Sequence, residues 1–237
     1  MARIDPKDRL LDTAEQMFAE HGYAATSLRQ LTSAAGLNLA AVNYHFGSKE
    51  ELAKAVLARR IAPINRERLR RLDAIAGTPT VQAIVRAFVE PPMCSTSAGS
   101  TSAAGDIAGR RLCRVFGRIS VEQPPFLRTF LAGQFRKVGG RFEAVLATAM
   151  PGLDAAAIWW RLHFVIGAMA HTLQNSETLA ELSGNRCDPN DLDGLVERLV
   201  EFAVGGLCAP RRGIGTTGNP AAGTRTSRRA RDKARTA

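Results

Sequence analysis

Between residues 21 and 49 the chain carries two short helix patterns on either side of a glycine, and this stretch contains neither aspartate nor glutamate. Residues 27–30 have the spacing of a capping box and begin the first predicted helix. Gly36 interrupts the pattern, and Asn38 can cap a second helix over residues 39–46. Two helices joined by so short a turn predict a compact helix-turn-helix unit.

Helical patterns continue on both sides of this unit. Asp5-Pro6 begins an amphipathic helix that ends at Gly22, and Ser48 begins a fourth helix that Pro63 is expected to end or kink. No alternating strand pattern of convincing length is present. Further segments with helical spacing cover residues 106–121, 125–149, 155–182 and 191–208.

The sequence therefore predicts an all-α protein with two domains. A three-helix helix-turn-helix domain occupies residues 1–60, and a larger helical domain occupies residues 61–208. Residues 94–105 are rich in serine, alanine and glycine and are predicted to form a surface loop. Residues 209–237 contain little that could be buried and are predicted to form a disordered basic tail.

The positive charge is concentrated in that tail. Eight basic residues and one aspartate give it a net charge of +7, which leaves +3 of the total +10 for the rest of the chain. The folded part is only mildly basic, so the overall charge is not in itself an argument for nucleic-acid binding. Two interpretations of the tail stay open: a solvated segment, or an element that makes the protein a nonspecific nucleic-acid binder.

Several other classes of protein are disfavoured. No apolar run is long enough to cross a membrane and no secretory signal precedes the first helix, so we expect a cytoplasmic protein without membrane contact. The four cysteines form no CxxC pair, and His163 and His171 are too far apart to share a metal ion. No catalytic triad or carboxylate pair stands out. We therefore expect neither an enzyme nor a cofactor or metal site.

The helix that begins after Asn38 has the chemistry of a major-groove helix. Leu39, Val42 and Phe46 share a face and are expected to pack inward. The amide of Asn43 can pair with adenine, and the methyl groups of Ala40 and Ala41 can contact thymine. The alternative is a helical bundle with no such role. Donors suited to phosphate oxygens are carried by Thr26, Ser27, Tyr44, His45 and Lys49.

These residues resemble the N-terminal domain of TetR-type transcriptional regulators over residues 9 to 52. The resemblance rests on ordered elements: Ala14 and Phe18, Gly22 followed by Thr26, Ala35-Gly36, Tyr44-His45-Phe46 and Ser48-Lys49-Glu50. It implies about nine helices per subunit and a homodimer that binds a palindromic double-stranded DNA operator. By carry-over, Asn38, Ala40, Ala41 and Asn43 would face bases, and Thr26, Ser27, Tyr44, His45 and Lys49 would hold phosphates.

The second half of the chain contains a helix that is apolar nearly all round, residues 158–169, which must be buried on more than one side. Ile158, Leu162, Val165, Met169 and Leu173 have seam-like spacing and, with residues 192–203, form the predicted dimer interface. The alternative is that both helices are only intramolecular core. Arg161, within the apolar run, is expected to meet a carboxylate of the protein or of a ligand.

Aromatic residues in this half could line a pocket for a small apolar effector. The run WWRLHFVIGAMAHTL, together with NLAAVNYHFGSK, resembles the TetR-type subgroup that senses fatty acids or acyl-CoA. The implied function is a transcriptional regulator, most simply a repressor, that an effector releases from DNA. The candidate ligand-binding residues are Phe88, Phe116, Phe126, Phe130, Trp159, His163 and Phe164.

Overall fold

The computed structural model describes residues 5–93, 108–188 and 190–210. Within these ranges the chain forms nine α-helices, one short 3-10 helix and no strand, which confirms the all-α prediction. The helices are α1 (Pro6–His21), α2 (Leu28–Ala34), α3 (Leu39–His45), α4 (Lys49–Asp73), α5 (Val81–Val89), the 3-10 helix (Pro91–Met93), α6 (Ala108–Glu122), α7 (Pro125–Ala149), α8 (Ala155–Leu182) and α9 (Leu192–Cys208).

The N-terminal helices begin where the sequence predicts. The side chain of Asp5 accepts a hydrogen bond from the backbone N–H of Lys7, and Ser27 forms the predicted capping box with Gln30. The side chain of Asn38 accepts from the N–H of Ala41 at the start of α3. These interactions satisfy N–H groups that have no partner inside their own helix, so they depend only on nearby sequence.

Pro63 was expected to end or kink the fourth helix, and the first of these alternatives is wrong, since α4 continues to Asp73. Pro63 lies on the exposed side, where the absent N–H removes one hydrogen bond. The opposite side is stabilised by burial of Ile61, Ile64 and Leu72. The predicted domain boundary at residue 60 therefore lies inside a continuous helix that both halves of the molecule share.

Helices α1, α2 and α3 and the first half of α4 together form the head. The first of two hydrophobic cores lies beneath these helices. Phe18, Leu31, Val42 and Leu52 are fully buried there. The head does not close this core alone, because Ile119 of α6 is buried in the same cluster, as are side chains from the first turns of α7. A displacement of α6 therefore changes the packing of the head core.

The second core lies between the end of α4 and helices α5, α7, α8 and α9. The seam predicted as a dimer interface belongs to it: Ile158, Leu162, Val165, Met169 and Leu173 are all at least nine-tenths buried within the subunit. The prediction chose the wrong face, since spacing reveals that a helix has an apolar stripe but not which neighbour covers it. In α9 the buried residues are Val196, Leu199, Val200, Ala203 and Leu207.

None of the helices in these described ranges combines the length and apolarity that crossing a bilayer requires. The predicted basic tail, apart from its first two residues, lies outside the described residues, as does the predicted loop over 94–105.

Candidate nucleic-acid interface and ligand cavity

Helix α3 is held by a single fully buried side chain, Val42. Its other large residues face outward to an unusual degree, with Tyr44 86% exposed and Leu39 42% exposed. Leu39 therefore does not pack inward as predicted, because the anchoring of α3 at Val42 leaves the first residue of the helix outside the core. An anchored helix with apolar and aromatic side chains in solvent presents a surface for a partner.

The residues expected to face bases lie mostly on this exposed surface. Ala40 and Asn43 are exposed, whereas Ala41 is half-buried and packs against the head core. Asn38 is exposed, but its side-chain oxygen is already used as the cap of α3. The amide nitrogen of Asn38 and the whole side chain of Asn43 are thus the polar groups that this surface offers to base edges.

The residues expected to hold phosphates fall into two groups. Tyr44 and Ser27 are exposed and His45 is half-buried, with the rings of Tyr44 and His45 in edge contact at 5.0 Å between centroids. Thr26 does not fit the prediction, because it is 1% exposed and its hydroxyl donates to the carbonyl oxygen of Gly22 at 2.7 Å. That hydroxyl fastens the turn between α1 and α2 and cannot reach a phosphate in this conformation.

Lys49 lies at the start of α4, directed toward the same turn. Its ammonium group is 4.4 Å from the ring centroid of Tyr23 and 3.4 Å from the carbonyl oxygen of Ala24. Burial lowers the pKa of Lys49, and the nearby carboxylate of Glu122 opposes that shift. Glu122 belongs to α6 and accepts a hydrogen bond from the N–H of Ala24 at 2.6 Å. The tertiary structure therefore brings a carboxylate to a stretch whose own sequence has none.

Arg29 is a basic residue that the sequence analysis overlooked. It lies in the first turn of α2, is exposed, and has no ion-pair partner among the described residues. Its position in the first turn of a helix of the helix-turn-helix unit could have indicated it, because exposed cations of such a unit are candidates for phosphate contacts.

The C-terminal half contains a partly open apolar cavity of about 170 Å³. Its walls come from α4, α5, α6, α7 and α8, with Ile64, Phe88, Phe116, Phe135 and Met169 among them. The polar residues of the lining are Asn65 and Arg68 on α4, at 8% and 3% exposure. Neither was predicted, although Arg68 falls in the spacing of the buried α4 residues Ile61, Ile64 and Leu72, which was the available signal.

Only two of the seven predicted ligand-binding residues, Phe88 and Phe116, line this cavity. Phe126 and Phe130 pack instead against the head core, because the first turns of α7 lie beneath the head. Trp159, His163 and Phe164 are exposed on α8, on faces that the core leaves free. Aromatic composition alone could not distinguish these locations, since aromatic side chains occur in cores, in cavity walls and at interfaces.

Arg161 also differs from its prediction. Its guanidinium donates to the backbone carbonyl oxygens of Leu207 and Ala209, not to a carboxylate. The last carbonyl groups of α9 have no partners inside their own helix, and a cation at that end interacts favourably with the negative end of the helix dipole. Arg161 is therefore a cap that joins α8 to α9.

Helix α6 connects the cavity to the head. Leu112, Cys113 and Phe116 line the cavity, and Ile119 is buried in the head core one turn further along. Glu122, the last residue of α6, holds the turn between α1 and α2. One rigid helix thus touches both places.

The chain matches two family models that together cover most of its length. The model described as bacterial regulatory proteins, tetR family, matches residues 10–56, and the model described as tetracyclin repressor-like, C-terminal domain, matches residues 86–206.

Curated relatives match over short stretches of the chain. The chain is 30% identical over 86 residues to the HTH-type transcriptional repressor AcnR of Corynebacterium glutamicum, which covers 36% of this chain and 42% of that repressor. It is 39% identical over 51 residues to the repressor KstR2 of Mycolicibacterium smegmatis, covering 22% of this chain and 25% of that protein. The chain thus aligns with less than half the length of each.

Solved structures share the fold over nearly the whole chain. The fatty acid degradation regulator FadR of Bacillus halodurans superposes with a TM-score of 0.62 at 16% identity, over 89% of this chain and 100% of that one. FadR of Bacillus subtilis in complex with stearoyl-CoA has a TM-score of 0.61 at 16% identity, over 84% and 98% of the two chains. At these identities the likeness concerns the fold, while the family models cover both halves. The chain therefore belongs to the tetR family of bacterial regulatory proteins.

Proposed function

We propose that this protein is a transcriptional regulator, most simply a repressor, that inserts α3 into the major groove of its operator. The observation that carries the proposal is the exposure of Asn43 and Tyr44 on a helix held by one buried residue. An α-helix with its side chains is about 10–12 Å in diameter, which fits a major groove about 12 Å wide. Arg29 of α2, Tyr44 of α3 and Lys49 of α4 offer N–H or O–H donors for phosphate oxygens.

We propose further that the protein acts as a homodimer on a palindromic operator. Support comes from the aromatic face, which we define as Trp160 and Phe164 of α8 and Phe202 of α9. These side chains are 63%, 63% and 68% exposed, and α9 packs beside α8. Exposed aromatic residues on neighbouring helices are typical of an interface, and two-fold symmetry would make the face complementary to itself.

The proposed effector is a small apolar molecule, of the fatty-acid class, bound in the cavity. Its size and apolar lining suit such a ligand, and α6 supplies the mechanical connection. A ligand that moves Phe116 moves a helix that also packs in the head and holds its first turn through Glu122. The ligand would release DNA only if it binds better to the arrangement in which the two heads are misplaced.

A gel-shift titration of the full chain against its own upstream DNA tests the function. The expected result is a discrete complex that specific competitor DNA removes and random DNA does not. A chain that stops at Ala209 should retain this complex. If that truncation abolishes binding, the protein is the nonspecific binder that the basic tail would make it.

Two substitutions test the separate roles proposed for the head. Asn43→Ala should cost about 1–3 kcal/mol at one position of each half-site and relax the choice of base there. Lys49→Ala should weaken binding to all operator variants alike and reduce the salt dependence by about one phosphate contact per subunit. Both are measured by titration against a set of single-base operator variants at two salt concentrations. Identical profiles for the two variants would contradict the proposed roles.

A further inference from the structure

Arg68 is a buried cation in the wall of the cavity. The residue is 3% exposed, and no carboxylate of the described residues pairs with it. By contrast, the half-buried Arg59 and Arg60 on the same helix both have a counter-ion, since each contacts the carboxylate of Glu15 at 2.6 Å. A buried charge that lacks a partner of opposite charge is costly and usually has a functional reason.

The hydrogen bonds of Arg68 leave part of its capacity unused. Its Nε donates to the carbonyl oxygen of Phe88 at 2.8 Å, Nη1 to the Oδ1 of Asn65 at 3.3 Å, and Nη2 contacts the sulfur of Met169 at 3.7 Å. These acceptors are all neutral. A guanidinium has five N–H groups, so one N–H on each terminal nitrogen has no partner among the described residues. Two parallel N–H groups on the terminal nitrogens match a carboxylate.

The position of Arg68 is maintained from several sides. Its guanidinium carbon lies 4.1 Å from the ring centroid of Phe88, and Asn65, which accepts from Arg68, donates to the carbonyl oxygen of Gln134 on α7. Burial lowers the pKa of Arg68 to about 9, so the side chain stays positively charged at neutral pH. The charge is thus held in place at the wall of an otherwise apolar cavity.

We infer that the effector is a small apolar carboxylic acid whose carboxylate pairs with Arg68 while its hydrocarbon part fills the cavity. This inference rests on the proposed function in one respect, namely that the molecule bound in the cavity is the effector. An apolar cavity of about 150 Å³ binds benzene, so a cavity of about 170 Å³ suits an acid of roughly six to ten heavy atoms. The thioester group of an acyl-CoA is neutral, and its charged phosphates belong to a nucleotide much larger than this cavity, so the free acid fits and an acyl-CoA does not.

Calorimetric titration of the full chain, without DNA, tests this directly. The ligands are benzoate, hexanoate and octanoate, each compared with its amide, which has the same shape but no charge. At least one acid should bind about 10-fold or more tightly than its amide, since a charged hydrogen-bonded pair contributes about 1.5–3 kcal/mol. Octanoyl-CoA should bind more weakly than octanoate. Equal binding of acids and amides, no binding of any acid, or tighter binding of the CoA ester would each overturn the inference.

Substitution of the arginine locates the preference. In Arg68→Met the acid should lose its advantage over the amide, and in the matched control Arg66→Met, an exposed position on the same helix, the advantage should persist. An acid preference that survives Arg68→Met would contradict the assignment. The wild-type comparison of acid with amide needs no variant, so equal binding of the two would overturn the inference even if Arg68→Met does not fold.

The gel-shift experiment and the ligand titration can fail independently of each other. If acids bind through Arg68 but no operator complex forms, the ligand inference stands and the regulatory function falls. If the operator complex forms but acids and amides bind equally, the function stands and the ligand inference falls.

Discussion

Two surfaces of this protein expose large apolar side chains, and they differ in what surrounds those side chains. On α3, Leu39 and Tyr44 stand among small and polar neighbours such as Ala40 and Asn43. On α8 the exposed residues are aromatic and adjacent, with the rings of Trp160 and Phe164 5.9 Å apart. The first surface is narrow and polar enough for a nucleic acid, whereas the second is apolar enough for a protein partner.

Exposure of apolar side chains does not by itself identify the molecule that binds to a surface. The chemistry around an exposed apolar residue decides whether water, bases or another protein chain can cover it at low cost. Here the two surfaces are also connected through the molecule, because α8 contributes to the cavity wall and α6 runs from that wall to the head. Changes confined to one surface or to the connection should therefore have separable effects.

The largest expected effect comes from the aromatic face. Phe164→Glu should raise the dissociation constant of the proposed dimer by at least about 100-fold, because a symmetric interface loses the buried ring and gains the charge twice. Mass measurement by light scattering across a concentration series checks this. Val121→Glu, an exposed apolar residue on α6, is the control and should leave the mass unchanged. A wild-type chain that is monomeric at all concentrations would refute the role of this face.

A smaller effect is expected at the connection between the surfaces. Glu122→Ala removes the hydrogen bond from the N–H of Ala24 and should reduce the ratio of operator affinities without and with ligand by several-fold, from a coupling that is typically 5–150-fold. Operator titrations with and without saturating octanoate measure the ratio. Ligand affinity measured without DNA should not change, and an unaltered ratio would mean that the signal takes another route.

The smallest effect is expected on α3 itself. Tyr44→Phe removes one hydroxyl from a side chain that is 86% exposed, so thermal stability should not change. Operator affinity should fall about 3–10-fold for all base variants, because a phosphate hydrogen bond contributes about 1 kcal/mol without sequence information. Loss of discrimination at a single operator position would instead assign Tyr44 to base recognition.

The sequence by itself determined the local features of the head. The caps at Asp5, Ser27, Asn38 and Ser48 lie where the sequence predicts, because each cap bonds to an N–H only two or three residues away. The exposure of Asn43 and Tyr44 also agrees with the sequence prediction, since so short a helix can bury only one narrow face.

The tertiary structure alone decided which apolar faces meet and which charges stay alone. Long helices such as α8 carry apolar residues on several sides, so their pattern could not show that Leu162 faces the core and Phe164 faces solvent. In the sequence Arg68 is one of several cations between residues 66 and 71, whereas the packing of α5 and α8 encloses it with no carboxylate of the described residues as a partner. Burial depends on neighbours that are distant in sequence, which is the physical reason that the head could be predicted and the cavity could not.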